Sequence, residues 1–148
     1  MSVAGGKGED AVPNEAEFRF PVTGQCTPRS LPGFLAMVVD LLQGMRLSVD
    51  QARKPDDHIV FRTSYAERGD LLREDDEKNH IGARRVAYLV DVAPRDTQTQ
   101  AVTVTIKAIL EYRKIIESTW RRENGDAIYS AQLTPILEKI RALQTAQD

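Results

Sequence analysis

The chain has 148 residues, 41% apolar and 28% charged, enough for one domain with a real core and too short for two comfortable ones. Lys and Arg number 20 against 22 Asp and Glu, and the resulting net charge of -2 supplies neither the basic field that nucleic-acid binding usually needs nor a polyacidic tail, so no nucleic-acid partner is expected. No apolar stretch approaches the ~18 residues of a membrane span, and the single cysteine, Cys26, excludes an intrachain disulfide and has no His or Cys neighbour at zinc-ligand spacing.

Residues 1–16 read as a disordered lead, since Gly5, Gly6, Gly8 and Pro13 punctuate them and almost nothing there asks for burial. They contain no hydrophobic region that would act as a signal peptide. A single domain is expected over residues 17–146. Glu17 to Val22 alternates Phe18, Phe20 and Val22 against Glu17 and Arg19, a short strand that Pro21 places at an edge. Ser30 as N-cap and Pro32 in the first turn open a helix to about Gln43. Its apolar set, Leu31, Phe34, Leu35, Val38, Val39, Leu41 and Leu42, is broader than a narrow stripe and predicts burial against a sheet, with Gly44 as the stop. Met45, Leu47 and Val49 then alternate with Arg46, Ser48 and Asp50, and Ile59, Phe61, Thr63 and Tyr65 alternate with Val60, Arg62 and Ser64. Pro55-Asp56-Asp57 between them predicts a hairpin.

Glu67 to Gly82 is a polar connection whose charges, Arg73 to Lys78, offer little to bury, with a brief helical turn at Leu71 and Leu72. Loops of this length are often mobile or functional. The strongest signal follows it: alternating runs from Arg84 to Ala93 and from Ala101 to Arg113, joined by the turn-rich Pro94 to Gln100. In the second run Val102, Val104, Ile106, Ala108, Leu110 and Tyr112 share one face, and Thr103, Thr105, Lys107, Glu111 and Arg113 share the other. Asn124-Gly125-Asp126 makes a turn before a helix in which Leu133, Ile136, Leu137, Ile140 and Leu143 recur at helical spacing. Pro135 either kinks that helix or stands at its first position behind Thr134 as N-cap. The predicted architecture is α+β: a single curved antiparallel sheet of about five strands with two helices on one face, in the order β-α-β-β-β-β-α, its other face left to solvent or a partner.

Catalytic and cofactor patterns are missing. There is no glycine-rich phosphate loop, nucleophile elbow or metal pair, so neither a cofactor nor a metal is expected. His58, beside Asp56 and Asp57, is the one candidate general base, and its neighbours read first as a solvated turn. His80 has no partner at ligand spacing, and Glu74 to Glu77 lacks the order of a calcium loop. Binding residues are better represented. Trp120, Arg121 and Arg122 combine an aromatic anchor with charged donors, the types enriched at interface hot spots, against the plainer reading that Trp120 closes one end of the core. Phe61, Tyr65, Tyr88 and Tyr112 would line a cavity between sheet and helix, or simply fill the core.

A buried helix ending in Gly44-Met45-Arg46-Leu47, the run Ile59-Val60-Phe61-Arg62-Thr63, a charged loop, Arg84-Arg85-Val86-Ala87-Tyr88-Leu89-Val90, Val102-Thr103-Val104-Thr105-Ile106, then Trp120 and an amphipathic helix together resemble the helix-grip domains of bacterial envelope lipoproteins, a family with members in the outer-membrane β-barrel assembly machinery. The resemblance covers about Glu17 to Leu143. It implies a sheet curled around the terminal helix, a non-enzymatic assembly role with a protein partner, and the periplasmic face of the envelope once a leader is removed; without a leader the cytoplasm is expected. Thr23-Gly24-Gln25-Cys26 departs from the lipid-attachment pattern, with no hydrophobic run before it and Gln25 in place of a small residue, so Cys26 is expected as a partly buried free thiol. Three functions are expected in order: a non-catalytic interaction or assembly module, a small apolar-ligand-binding helix-grip protein, and an enzyme using His58 or a tyrosine.

Overall fold

Period-two alternation in the two longest runs builds the centre of the molecule. The computed structural model describes residues 12–123 and 126–146. In chain order the elements are β1 (Arg19–Cys26), α1 (Leu31–Gly44), β2 (Val49–Arg53), β3 (Ile59–Thr63), β4 (Ala66–Glu67), β5 (Ile81–Val92), β6 (Val102–Lys114), β7 (Arg121–Arg122) and α2 (Asp126–Ala146). The fold is α+β with one open antiparallel sheet of seven strands. Its main order is β1-β6-β5-β3-β2, with β4 also beside β5 and β7 also beside β6. The two extra strands are two residues each, too short to show as alternation in the sequence.

Val86, Tyr88, Val90 and Val92 of β5 and Val102, Val104, Ile106, Ala108 and Leu110 of β6 form the inner face. Against them pack Phe34, Val38 and Leu42 of α1 and Leu133, Ile136, Leu137 and Ile140 of α2. Spacings of four along α1 and of three and four along α2 put these residues on one helix face each, so both helices cover the same side of the sheet. Ser30 caps α1, its Oγ accepting from the Gly33 amide at 3.2 Å. The chain leaves α1 one step later than Gly44 suggests, because Arg46 takes the left-handed backbone (φ 65°) expected of a helix-terminating residue. α2 runs through Pro135 as one helix, without a second start at Thr134. The expected turn at Asn124 and Gly125 lies outside the described residues. At Gly24 of β1 a side chain would meet Leu137 at 3.2 Å, so this glycine lets α2 lie close on the edge strand. Cys26, expected to be partly buried, is fully buried at the end of β1, and burial pushes its thiol pKa up.

Two expected elements shift. β1 begins later and runs to Cys26, through residues read as a loop, because its pairing with β6 continues to Cys26 and Val102. Between Val22 and Arg19 it uses three residues against two on β6, with Phe20 left-handed at φ 61°. One added residue reverses the facing. Phe18 therefore leaves the expected Phe20–Val22 row and joins Val60, Ala87, Leu89 and Ile109 on the outer face. β2 starts only at Val49, and its hairpin to β3 closes through Lys54, whose amide bonds His58 O at 2.8 Å, with Asp57 left-handed at φ 68°.

The outer face is thus less open than expected. Of the expected lead, residues 1–11 lie outside the described residues; from Val12 on the chain is laid across that face. Arg62 donates to the Pro13 carbonyl at 3.0 Å, Lys54 pairs with Glu15 at 2.8 Å, and Arg122 with Glu17 at 3.2 Å, around a 3-10 turn at Glu15–Glu17. The polar connection is also pinned. Asp76 is buried and accepts from Arg84 Nε and Nη2, both at 2.9 Å, so one charge of an acidic run expected in solvent forms an internal ion pair.

Candidate functional site

Two places carry chemistry: the hairpin between β6 and β7, and a cleft beside β4. The hairpin begins where the alternation of β6 breaks at Lys114. Glu117 N bonds Lys114 O at 3.0 Å, which puts Ile115 and Ile116 at the corners of a tight turn. Corner positions ordinarily take Gly, Pro, Asn or Asp. Here they hold two β-branched side chains, 66% and 92% exposed. The tip is braced on several sides. Ile115 N bonds His80 O at 2.7 Å. The Ile115 side chain sits so close to Gly82 that a Cβ there would meet it at 2.9 Å. Arg121 grips Glu117 through Nε and Nη2 at 2.9 and 2.8 Å.

Trp120 is half-buried at the base of the hairpin, under the Arg85 guanidinium at 4.3 Å and near that of Arg113 at 5.2 Å. Arg85 also lies over the Tyr65 ring at 3.9 Å and pairs with Glu111 at 2.6 Å. Each such cation–ring contact contributes about 0.5–2 kcal/mol when partly desolvated. Trp120, Arg121 and Arg122 do not form one patch. Arg121 is exposed on the tip, whereas Arg122 faces inward to Glu111 at 3.1 Å and Glu17. Sequence reasoning missed Ile115, Ile116 and Arg85; adjacent isoleucines in a break of the alternation were a visible signal, while the Arg85 stack depends on β5 meeting the β3–β4 connection and the residue just before β7.

The four aromatic residues expected to share a cavity are divided. Phe61 and Tyr88 are core residues of the helix-covered side, Tyr65 packs with the outer-face cluster, and Tyr112 lies near Arg84 at 5.6 Å in a smaller depression. Tyr65 and Tyr88 do border one cleft of about 800 Å³, between the end of α1, the β3–β4 connection and α2. It opens where the β3–β5 ladder is interrupted. Pairing stops at Arg62 and resumes at Ala66, and the Thr63 hydroxyl takes the Tyr88 amide at 2.8 Å in place of a strand carbonyl. Arg68 enters this cleft held by Asp70 through Nε and Nη2 at 3.0 and 2.7 Å, near the buried Tyr88 that borders the same cleft. Burial is the main cause that raises the Tyr88 pKa.

His58 finds its partner across the sheet and not in its own turn. Its Nδ1 is 2.7 Å from Asp91 Oδ1, while Nε2 is 3.9 Å from Asp56. The bond to Asp91 raises its pKa and so favours the imidazolium, the form that has no base to offer. Among the described residues no group of three His, Cys, Asp or Glu is placed to hold a metal, and no helix is long and apolar enough to cross a membrane. A scan of protein-family models finds no match to this chain, and a search of curated proteins finds no relative.

Proposed function

We propose that the protein is a non-catalytic interaction module that docks a protein partner on the β6–β7 tip. The observation that carries this reading is the exposure of Ile115 and Ile116 on a turn held from three sides. Beyond the contact of Ile115 with Gly82, two large apolar side chains this exposed contribute little to the fold that smaller polar residues would not. They suit the centre of an interface, with the exposed Arg121 braced on Glu117 of the same turn as a residue type that dominates binding energy. One antiparallel sheet with both helices on a single face is also what a helix-grip domain requires, and it supports reading the chain as an accessory of a larger assembly, such as those of the bacterial envelope.

The test compares Ile115→Ser/Ile116→Ser with the unaltered protein, first in affinity capture with identification of the captured protein, then in calorimetric titration with that protein purified. The double variant is expected to lose about 2 kcal/mol of binding or more, roughly a thirtyfold weaker Kd, with an unchanged melting temperature. Equal affinity of the two proteins would overturn the assignment of the tip. Turnover of a small substrate abolished by His58→Ala would overturn the non-catalytic reading itself.

A further inference from the structure

The cleft beside β4 has features the tip does not use. Its lining includes three cationic side chains, Arg46, Arg68 and Lys139, against two acidic ones, Glu67 and Asp70. Arg68 and Asp70 neutralise each other in a two-bond pair. Among the described residues the side chains of Arg46, just past the end of α1, and Lys139, within α2, have no ion-pair partner, and the two converge on one depression. Arg46 is placed there by the left-handed exit of α1, a conformation that costs a non-glycine residue something and fixes where its side chain departs. Met45, Ala66, Pro135 and Ile136 supply apolar wall, and the buried Tyr88 borders the cleft as well.

From this arrangement we infer that the cleft binds a small monocarboxylate with an apolar body, its carboxylate between Arg46 and Lys139 and its body along Met45 and Ile136. The volume, about 800 Å³, falls within the range of small-molecule sites. The charge balance selects the ligand class. Three cations against two carboxylates leave an excess of one positive charge, which suits a monoanion, while Glu67 repels a second negative group. A wholly apolar ligand, the kind expected from the sequence, would leave both unpaired cations facing hydrocarbon and desolvate them without return. The reading is independent of the tip, since none of its residues belongs to the β6–β7 hairpin.

The experiment titrates the full chain with octanoate, and separately with octanol and citrate, following amide NMR shifts and calorimetric heat. Octanoate is expected to bind saturably below about 10 mM, at least about tenfold more tightly than octanol or citrate. Arg46→Gln/Lys139→Gln, both substitutions at exposed positions, should weaken octanoate at least about tenfold with no change in melting temperature and no change in octanol binding. Absence of saturation by octanoate, equal binding of octanol, or full retention of octanoate binding in the double variant would each overturn the inference.

Discussion

Asp76→Ala should be among the most damaging single substitutions on the polar side of this molecule, although Asp76 sits in a run of charges that looks interchangeable. Its carboxylate accepts from Arg84 Nε and Nη2 at 2.9 Å each and from the Arg73 amide at 2.8 Å. The Arg84 side chain is only 2% exposed, and without Asp76 it keeps one carboxylate contact, Glu123 at 3.0 Å. Breaking a buried pair from one side costs about 3–5 kcal/mol, because the remaining charge is left desolvated. Against a total of about 5–15 kcal/mol that is a large share, and for a chain of this size it lowers the melting temperature by roughly 6–20 °C. The exposed neighbour Asp75, changed to Ala, should alter stability by no more than about 0.5 kcal/mol. The acid dependence has a definite sign. The Arg84 guanidinium holds the Asp76 carboxyl below its ordinary value of 3.8, so the stabilisation is present above that value and disappears as pH falls through the depressed one. Urea melts of the two proteins should therefore differ fully at neutral pH, begin to converge below about pH 4 and meet only below the depressed folded value. A gap under about 1 kcal/mol at neutral pH, or one that persists unchanged into acid, would refute the reasoning.

Two further outcomes follow from the sheet. Val104→Asp places a carboxylate at a position with 0% exposure and should unfold the domain, whereas Thr105→Asp, half-buried on the outer face, should cost no more than about 1 kcal/mol, part of it from Asp91 directly opposite in register; thermal melts showing equal loss would mean the facing is wrong. Asp91→Asn should lower the titration midpoint of His58 in an NMR pH series. Because the folded His58 pKa is raised, its contribution to stability is present below the unfolded value of 6.5 and fades as pH rises through the folded one, so the variant should lose more stability at pH 5 than at pH 8; an unmoved midpoint would show that Asp91 is not its partner.

What the sequence disclosed and what it concealed divide along the range of the interactions. The inner rows of β5 and β6, the Ser30 cap and the apolar faces of α1 and α2 rest on local periodicity and capping, and these are legible residue by residue. The outer face depends on a single added residue in β1, and no pattern within that strand announces it, since Phe18, Phe20 and Val22 alternate as regularly as an unbulged strand would. The same limit hides Asp76 among Glu74, Asp75 and Glu77: which carboxylate turns inward is decided by where the loop meets Arg84, eight positions further on and already inside a strand. The candidate sites follow this division. Ile115 and Ile116, passed over in the sequence, still leave a local signal there as a break in an alternating run, because the physical cost of exposing them is local. The cleft cations were not, because Arg46, Arg68 and Lys139 belong to three separate segments and become neighbours only after the ladder between β3 and β5 opens at Thr63. An isolated arginine or lysine on a solvated surface carries no signal of that convergence, so charge lining a cleft between elements has to be read from the assembled fold.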